Sequence, residues 1–198
     1  GKSSLMKSIG LNIIMAQAGM YVAAKEFTFC PYDYLFTRIR NTDNLFKGQS
    51  SFAVEISELR DILKRANNKS LVLGDELCSG TESYSALSIF SASVYKLSHL
   101  DVNFIFATHL HGLVELDEIK NLTNLKISHL KVEYNEAQDK LIYDRKLVDG
   151  SGPTIYGLEV CRAMDLDRSV LEMANNIRKR LLNQSVKTSK YIQLHKPI

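Results

Sequence analysis

Two short apolar runs set the fold of this chain, Leu71-Val72-Leu73-Gly74 and residues 102–107, and each stops abruptly at polar residues. The first leads into Asp75-Glu76 and the second into Thr108-His109. Both are near-continuous in apolar residues, as strands covered on both faces of a parallel sheet must be. Residues 84–100 lie between them, with Leu87, Phe90, Val94 and Leu97 in helical register. A parallel pair needs such a crossover, so the stretch reads as one βαβ unit.

The flanking sequence extends this α/β pattern. Leu5, Ile9, Ile13 and Ala16 recur at helical spacing over residues 2–17, with Gly19 as the stop. Residues 22–39 are rich in aromatic and β-branched side chains and broken by Pro31 and Asp33, which predicts short strands joined by a turn. After a polar loop over 41–49, the series Phe52, Ile56, Leu59, Leu63, Ala66 marks the buried stripe of an amphipathic helix. Residues 125–134 and 140–148 are expected to form a hairpin around Asn135-Glu136-Ala137. Two helices follow, over 156–164 and 169–182, separated by Asp165-Leu166-Asp167, with Asp167 or Ser169 capping the second. The tail 183–198 carries Lys187, Lys190 and Lys196 and no acid, the composition of a linker. The expected organisation is one domain over 1–154, a helix-turn-helix element over 155–182 and a tail over 183–198.

Composition narrows the partners. The 198 residues suit one ordinary domain with a real core. With 25 Lys and Arg against 22 Asp and Glu, the net charge of +3 is far from the basic stripe of a segment that grips many phosphates itself. Any DNA contact is therefore expected elsewhere. Cys30, Cys78 and Cys161 are few, scattered and without C-x-x-C spacing, which argues against a disulfide framework or zinc site and for a reducing intracellular compartment. Residues 9–24 form the longest apolar stretch, but Asn12, Gln17 and Gly19 interrupt it, so no membrane span is expected.

Polar residues at the ends of the apolar elements carry the chemistry. The chain opens Gly1-Lys2-Ser3-Ser4, the closing part of a phosphate-binding loop of the form G-x-x-x-x-G-K-[ST]. Such a triplet arises readily by chance, and a surface turn is the alternative. A helix starting at Lys2 favours the phosphate reading, because its first amides and its dipole attract anions. Lys2 would then neutralise the β- and γ-phosphates, with the Ser3 hydroxyl on Mg2+. The rest of the loop and its feeding strand are expected upstream of Gly1, and this chain alone is expected to bind ATP poorly.

Asp75 ends a buried strand, where open α/β sheets place ligands, although a turn or helix-capping carboxylate has the same signature. As a ligand it would reach the Mg2+ shell through water. Glu76, on the other side of an extended chain, would orient and deprotonate an attacking water. His109 closes the neighbouring strand at the same end. Most single histidines are structural or exposed, but one beside Lys2, Asp75 and a triphosphate has the γ-phosphate as a partner. A metal pair of His109 and His111 lacks a carboxylate or Cys at ligand spacing. Ser50-Ser51 would cap the helix that begins at Phe52, and the same helix start could complete the nucleotide site of a second subunit.

These residues resemble the ATPase domain of the MutS family of DNA mismatch-repair proteins, within the ABC ATPase superclass, from Gly1 to about residue 182. Gly48-Gln49 lead into Ser50-Ser51-Phe52-Ala53-Val54-Glu55, which is similar to the MutS element Ser-[Ser/Thr]-Phe-x-x-Glu and unlike the Leu-Ser-Gly-Gly-Gln of transporters. Leu73-Gly74-Asp75-Glu76-Leu77 and Ser79-Gly80-Thr81 resemble the Walker B and D-loop pair, and Phe106-Ala107-Thr108-His109 the switch. Phe36-Thr37-Arg38 matches the Q-loop segment, and Asp149-Gly150 with Tyr156-Gly157-Leu158 resembles the entrance to the C-terminal helix-turn-helix. Gly80-Thr81-Glu82-Ser83-Tyr84 and the Lys-rich tail are similar to a branch found in giant viruses and octocoral mitochondria, in which an HNH nuclease follows.

The resemblance implies an α/β P-loop ABC-type ATPase domain with a mostly parallel sheet, flanking helices, a β-hairpin and a C-terminal helix-turn-helix. It implies that Gly1, Lys2, Ser3 and Ser4 bind ATP, that Ser3 and Asp75 hold Mg2+, that Glu76 is the base and that His109 senses the γ-phosphate. Ser50 would reach the ATP of a partner, either a second copy or a paralogous subunit. Mismatched double-stranded DNA would be met by domains outside this chain. A non-catalytic dimerisation module and another ABC-type subunit are the competing readings. Intact Glu76, His109 and Ser50 speak against the first, and the Ser-Ser-Phe element against a transporter.

Overall fold

The computed structural model describes residues 1–39, 51–135, 140–152 and 157–193. The chain divides into two units, one of residues 1–127 with 149–151 and one of residues 128–148 with 152–198.

In the first unit a three-stranded parallel sheet has the order β1-β2-β3, with β1 Tyr34–Arg38, β2 Ser70–Asp75 and β3 Asn103–Ala107. Central β2 is covered on both faces, and its side chains alternate between two cores. Val72 points into a cluster with Ile62, Leu97 and Val102, which Phe36 and Phe104 join from the neighbouring strands. Leu71 and Leu73 point the other way, to Ile13, with Leu35 and Ile105 beside them. The register explains this sharing: Phe36, Val72 and Phe104 are lateral partners, as are Leu35 with Leu71 and Leu73 with Ile105. Val72 and Leu73 are fully buried, which accounts for the unbroken apolar run.

Helix α1 (Lys2–Gln17) covers one face and α2 (Ser51–Arg65) with α3 (Ser83–His99) the other. Helix α3 is the predicted crossover, and the Glu82 carboxylate caps it by accepting from the N–H groups of Tyr84 and Ser85. A hydrogen bond with the Ser85 side chain first, and then those backbone bonds, hold the Glu82 carboxyl below its ordinary range. A short 3-10 turn (His111–Glu115) and α4 (Asp117–Lys120) follow β3, and Leu113 and Ile119 join the α2–α3 core.

Only one strand forms where residues 22–39 predict several. The N–H of Ala23 goes to the Asn12 side-chain oxygen at 2.7 Å rather than to a strand ladder, and Pro31 has no N–H to offer. Asn12, which interrupts the apolar stretch in the sequence, is thus a satisfied buried polar group. Its amide nitrogen donates to the Ser8 carbonyl at 2.8 Å.

In the second unit β4 (Ser128–Asn135) and β5 (Lys140–Asp149) form a two-stranded sheet, and so short a connection requires them to run antiparallel. Helices α5 (Gly157–Ala163) and α6 (Arg168–Gln193) pack on one another. Asp167 caps α6, accepting from Ser169 N–H at 2.9 Å and Val170 N–H at 3.3 Å. Helix α6 runs past the residue 182 expected from sequence as far as Gln193, because no Gly or Pro interrupts the chain before Pro197.

Cys78 belongs to the α2–α3 core, and burial first, then the nearby Glu55 carboxylate, pushes its thiol up to about 11. Brief alkylation at about pH 8 should therefore label exposed Cys30 and spare Cys78, read by peptide mass spectrometry. Leu73→Ala removes a side chain shared by both neighbouring strands and should destabilise the unit by about 2–5 kcal/mol in denaturant titration.

Candidate active site

The parallel strands deliver their last residues to one end of the sheet, and the polar residues singled out by sequence collect there. Asp75 is the last residue of β2 and lies opposite Ala107, the last of β3. The next backbone N–H, that of Glu76, donates to the Ala107 carbonyl at 2.8 Å and carries the inter-strand contact one step beyond the ladder. Glu76 then turns left-handed, with φ 52°, and Cys78 does the same at φ 65°. Each such conformation costs a residue with a Cβ about 1–3 kcal/mol and persists only where the surroundings enforce it.

This turn directs the Glu76 carboxylate sideways to His109, whose Nε2 stands 3.1 Å from Glu76 Oε1. His109 is open to solvent and Glu76 is 29% exposed, so the pair is reachable from outside. The Thr108 hydroxyl shapes the approach by accepting the Leu110 N–H at 3.0 Å, which closes a tight turn after β3. A carboxylate paired with an imidazole and accessible to water is equipped to orient a water and take its proton.

The opening residues of the chain reach the same end of the sheet because of how α1 is anchored. Its last residue, Gln17, makes two bonds with the backbone of Tyr32: Nε2 donates to the carbonyl at 3.2 Å, and Oε1 accepts the N–H at 2.8 Å. Tyr32 precedes β1, whose first residue pairs with the first residue of β2. The C-terminus of α1 is therefore fixed at the amino ends of the strands. Midway along, Gly10 lies so close to Leu73 that a Cβ there would stand 2.9 Å from Leu73 Cδ1. From Gly10 the helix continues about 12 Å to Lys2 at 1.5 Å per residue, which carries Gly1, Lys2, Ser3 and Ser4 to the carboxyl ends. Lys2 and Ser4 are exposed and Ser3 is half-buried. The first amides of α1, whose donors have no intrahelical partners, thus lie toward the carboxyl ends of the strands.

Ser3 and Asp75 supply a hydroxyl and a carboxylate, the oxygen donors that Mg2+ prefers. That donor set fits an ion held by one carboxylate, a hydroxyl and substrate phosphates. His109, which the alternative reading would have made half of a metal pair, is engaged instead with Glu76. Arg38 ends β1 beside Gly74 and is held by Glu58 of α2 at 2.8 Å. Ser50, with Gly48 and Gln49, lies outside the described residues, and so does Tyr156.

Glu55 ends the Ser-Ser-Phe-x-x-Glu element, yet the sequence alone assigns it no task. Glu55 is 5% exposed, and its Oε1 accepts the backbone N–H of Cys78 at 2.7 Å. The signal for it was present: Glu55 falls on the face of α2 that carries Phe52, Ile56 and Leu59, where an acid is out of place unless it has a buried partner.

Comparison with known proteins agrees with this architecture. The family model described as MutS domain V matches residues 1–182. A putative DNA mismatch repair protein, a mutS homolog of Acanthamoeba polyphaga mimivirus, is 48% identical over 186 residues, covering 92% of this chain and 16% of the viral protein. The mitochondrial DNA mismatch repair protein mutS homolog of Sarcophyton glaucum is 44% identical over 179 residues, 90% of this chain and 18% of that protein. DNA mismatch repair protein MutS of Fusobacterium nucleatum is 39% identical over 183 residues, 91% of this chain and 20% of its own length. The chain thus spans about a fifth or less of these relatives, which include the giant-virus and octocoral mitochondrial proteins that the D-loop region resembles. With a domain V match over nearly all its residues, the chain belongs to the MutS family.

Proposed function

We propose that this chain is the ATP-binding and ATP-hydrolysing part of a MutS-like DNA mismatch-repair protein. The observation that carries the reading is the Glu76–His109 pair at the carboxyl ends of the strands, on the side where α1 begins. The N–H groups and the Lys2 ammonium at the start of α1 bind the phosphates of ATP. The Ser3 hydroxyl and the Asp75 carboxylate hold Mg2+, which when bound offsets charge on the phosphate oxygens. Glu76 takes the proton of the attacking water, and His109 fixes the carboxylate until a γ-phosphate offers its ring an alternative acceptor.

Two such chains complete one another in this proposal. Ser50, which precedes α2 in the sequence, reaches the nucleotide of the partner, a second copy or a paralogous subunit. The second unit supports the assembly: Met164, Val170, Met173, Ile177 and Leu181 on and around α6 are all exposed, an apolar surface in want of a cover. Hydrolysis would switch domains outside this chain that hold mismatched duplex DNA, in keeping with the modest net charge here.

In the full-length protein, Glu76→Gln should abolish hydrolysis, by about 100-fold or more, while ATP still binds, since only the proton acceptor is lost. Lys2→Ala should weaken ATP binding itself by removing the phosphate countercharge. Turnover at the wild-type rate in the first variant, or unchanged affinity in the second, defeats these assignments. Deleting residues from Tyr156 onward should lower both the dimer population in sedimentation and the ATPase rate, and make the remaining rate more dependent on protein concentration. An undiminished dimer with full activity would rule out assembly through α5 and α6.

A further inference from the structure

Glu55 is a buried carboxylate to which the scheme above gives no task. It bonds the Cys78 N–H from α2, and one turn earlier on the same helix Phe52 packs against Gly80. A Cβ on Gly80 would stand 3.1 Å from Phe52 Cβ and 3.3 Å from its Cα, so the two backbones are in direct contact. Helix α2 therefore grips the segment after β2 at two points, Cys78 and Gly80. That segment holds the left-handed residues Glu76 and Cys78, with Leu77 buried between them. Among the described residues its backbone is restrained by Glu76 N–H donating to Ala107 and Cys78 N–H donating to Glu55. The first belongs to the sheet. The second is the only one of the pair that comes from a side chain.

We propose that Glu55 is a positioning residue: it latches the Glu76–Gly80 turn to the start of α2 and so sets the direction of the Glu76 carboxylate toward His109. This deepens the reading of Glu76 as base and rests on it. A carboxylate suits the task because it can only accept, and a charge-assisted bond to a backbone N–H is stronger than a neutral one. An unmatched amide or carboxylate in the core is costly, so the bond resists opening. The two therefore move together. Any displacement of α2, whose first residue follows Ser50, is passed to the base through two contacts rather than through the sheet.

The test uses the full-length protein with Glu55→Ala, Glu55→Gln and Glu55→Asp. Hydrogen exchange is read at the Cys78 amide, and steady-state ATPase kinetics are read alongside. The alanine variant should speed exchange at Cys78 by roughly 10- to 100-fold while amides in the middle of β2 stay protected. Its kcat should fall by about 10-fold or more, with KM for ATP moving less than about threefold, because the phosphate-binding residues are untouched. Glutamine keeps an acceptor oxygen in place and should restore most of both. Aspartate keeps the charge but withdraws the acceptor by one methylene, and should behave like alanine; it decides the matter if the alanine variant does not fold. Unchanged exchange at Cys78 in the alanine or aspartate variant overturns the latch. Faster exchange with unchanged kcat overturns its link to Glu76. A wild-type protein that does not hydrolyse ATP, with the Cys78 amide still responding, defeats the reading of Glu76 as base and leaves the contact standing.

Discussion

Everything in the first unit is arranged around one strand that water never reaches. With Val72 committed to one core and Leu71 and Leu73 to the other, β2 has no face left for solvent, and both its ladders are occupied. A strand confined in this way can present polar groups only where it stops. Asp75 and Glu76 are that stop, and the neighbouring strand ends level with them. The polar end of the sheet follows from burial elsewhere. Helix α1 then supplies the complementary feature, a ring of donors, because Gln17 fixes its other end at the opposite side of the sheet.

The βαβ unit was legible in the sequence because burial on both faces leaves a run of apolar residues, and because the crossover helix shows its stripe in Leu87, Phe90, Val94 and Leu97. Helix α2 was legible for the same reason, through the stripe of Phe52, Ile56, Leu59, Leu63 and Ala66. What the pattern hides is any contact made by a single atom. The Ala23 N–H goes to a side-chain oxygen eleven positions earlier in the chain, and no periodicity records that choice, so strands were expected where a bonded loop stands. The length of α6 is a different case. Its later residues lack an apolar stripe strong enough to announce a helix, yet no Gly or Pro in them forbids one, and the helix runs to Gln193.

For the candidate site, the residue types were readable and the backbone was not. Asp75, Glu76 and His109 stand at strand ends that the sequence identifies, so their gathering needs only a parallel sheet. An alternating strand would send Glu76 away from Asp75 and say nothing of His109. The left-handed turn at Glu76 is what joins it to the histidine, and a glutamate gives no hint of positive φ. Glu55 makes the same point from the other side. Its place on an apolar stripe marks it as unusual, but its partner is a backbone amide that could belong to any residue.

The parallel pairing at the centre of the sheet also has a cost in time. Tyr34 must find Ser70, and Leu71 must find Asn103, before either ladder exists, and among the described residues of this unit no hairpin holds the chain together meanwhile. As the polypeptide leaves the ribosome, α1 and β1 emerge with apolar faces whose partner, β2, is still to be made. Both cores close only when β3 has been released. Until then the most buried residues of the finished molecule are its most exposed, and this unit is at its most vulnerable to chaperone capture and aggregation during synthesis.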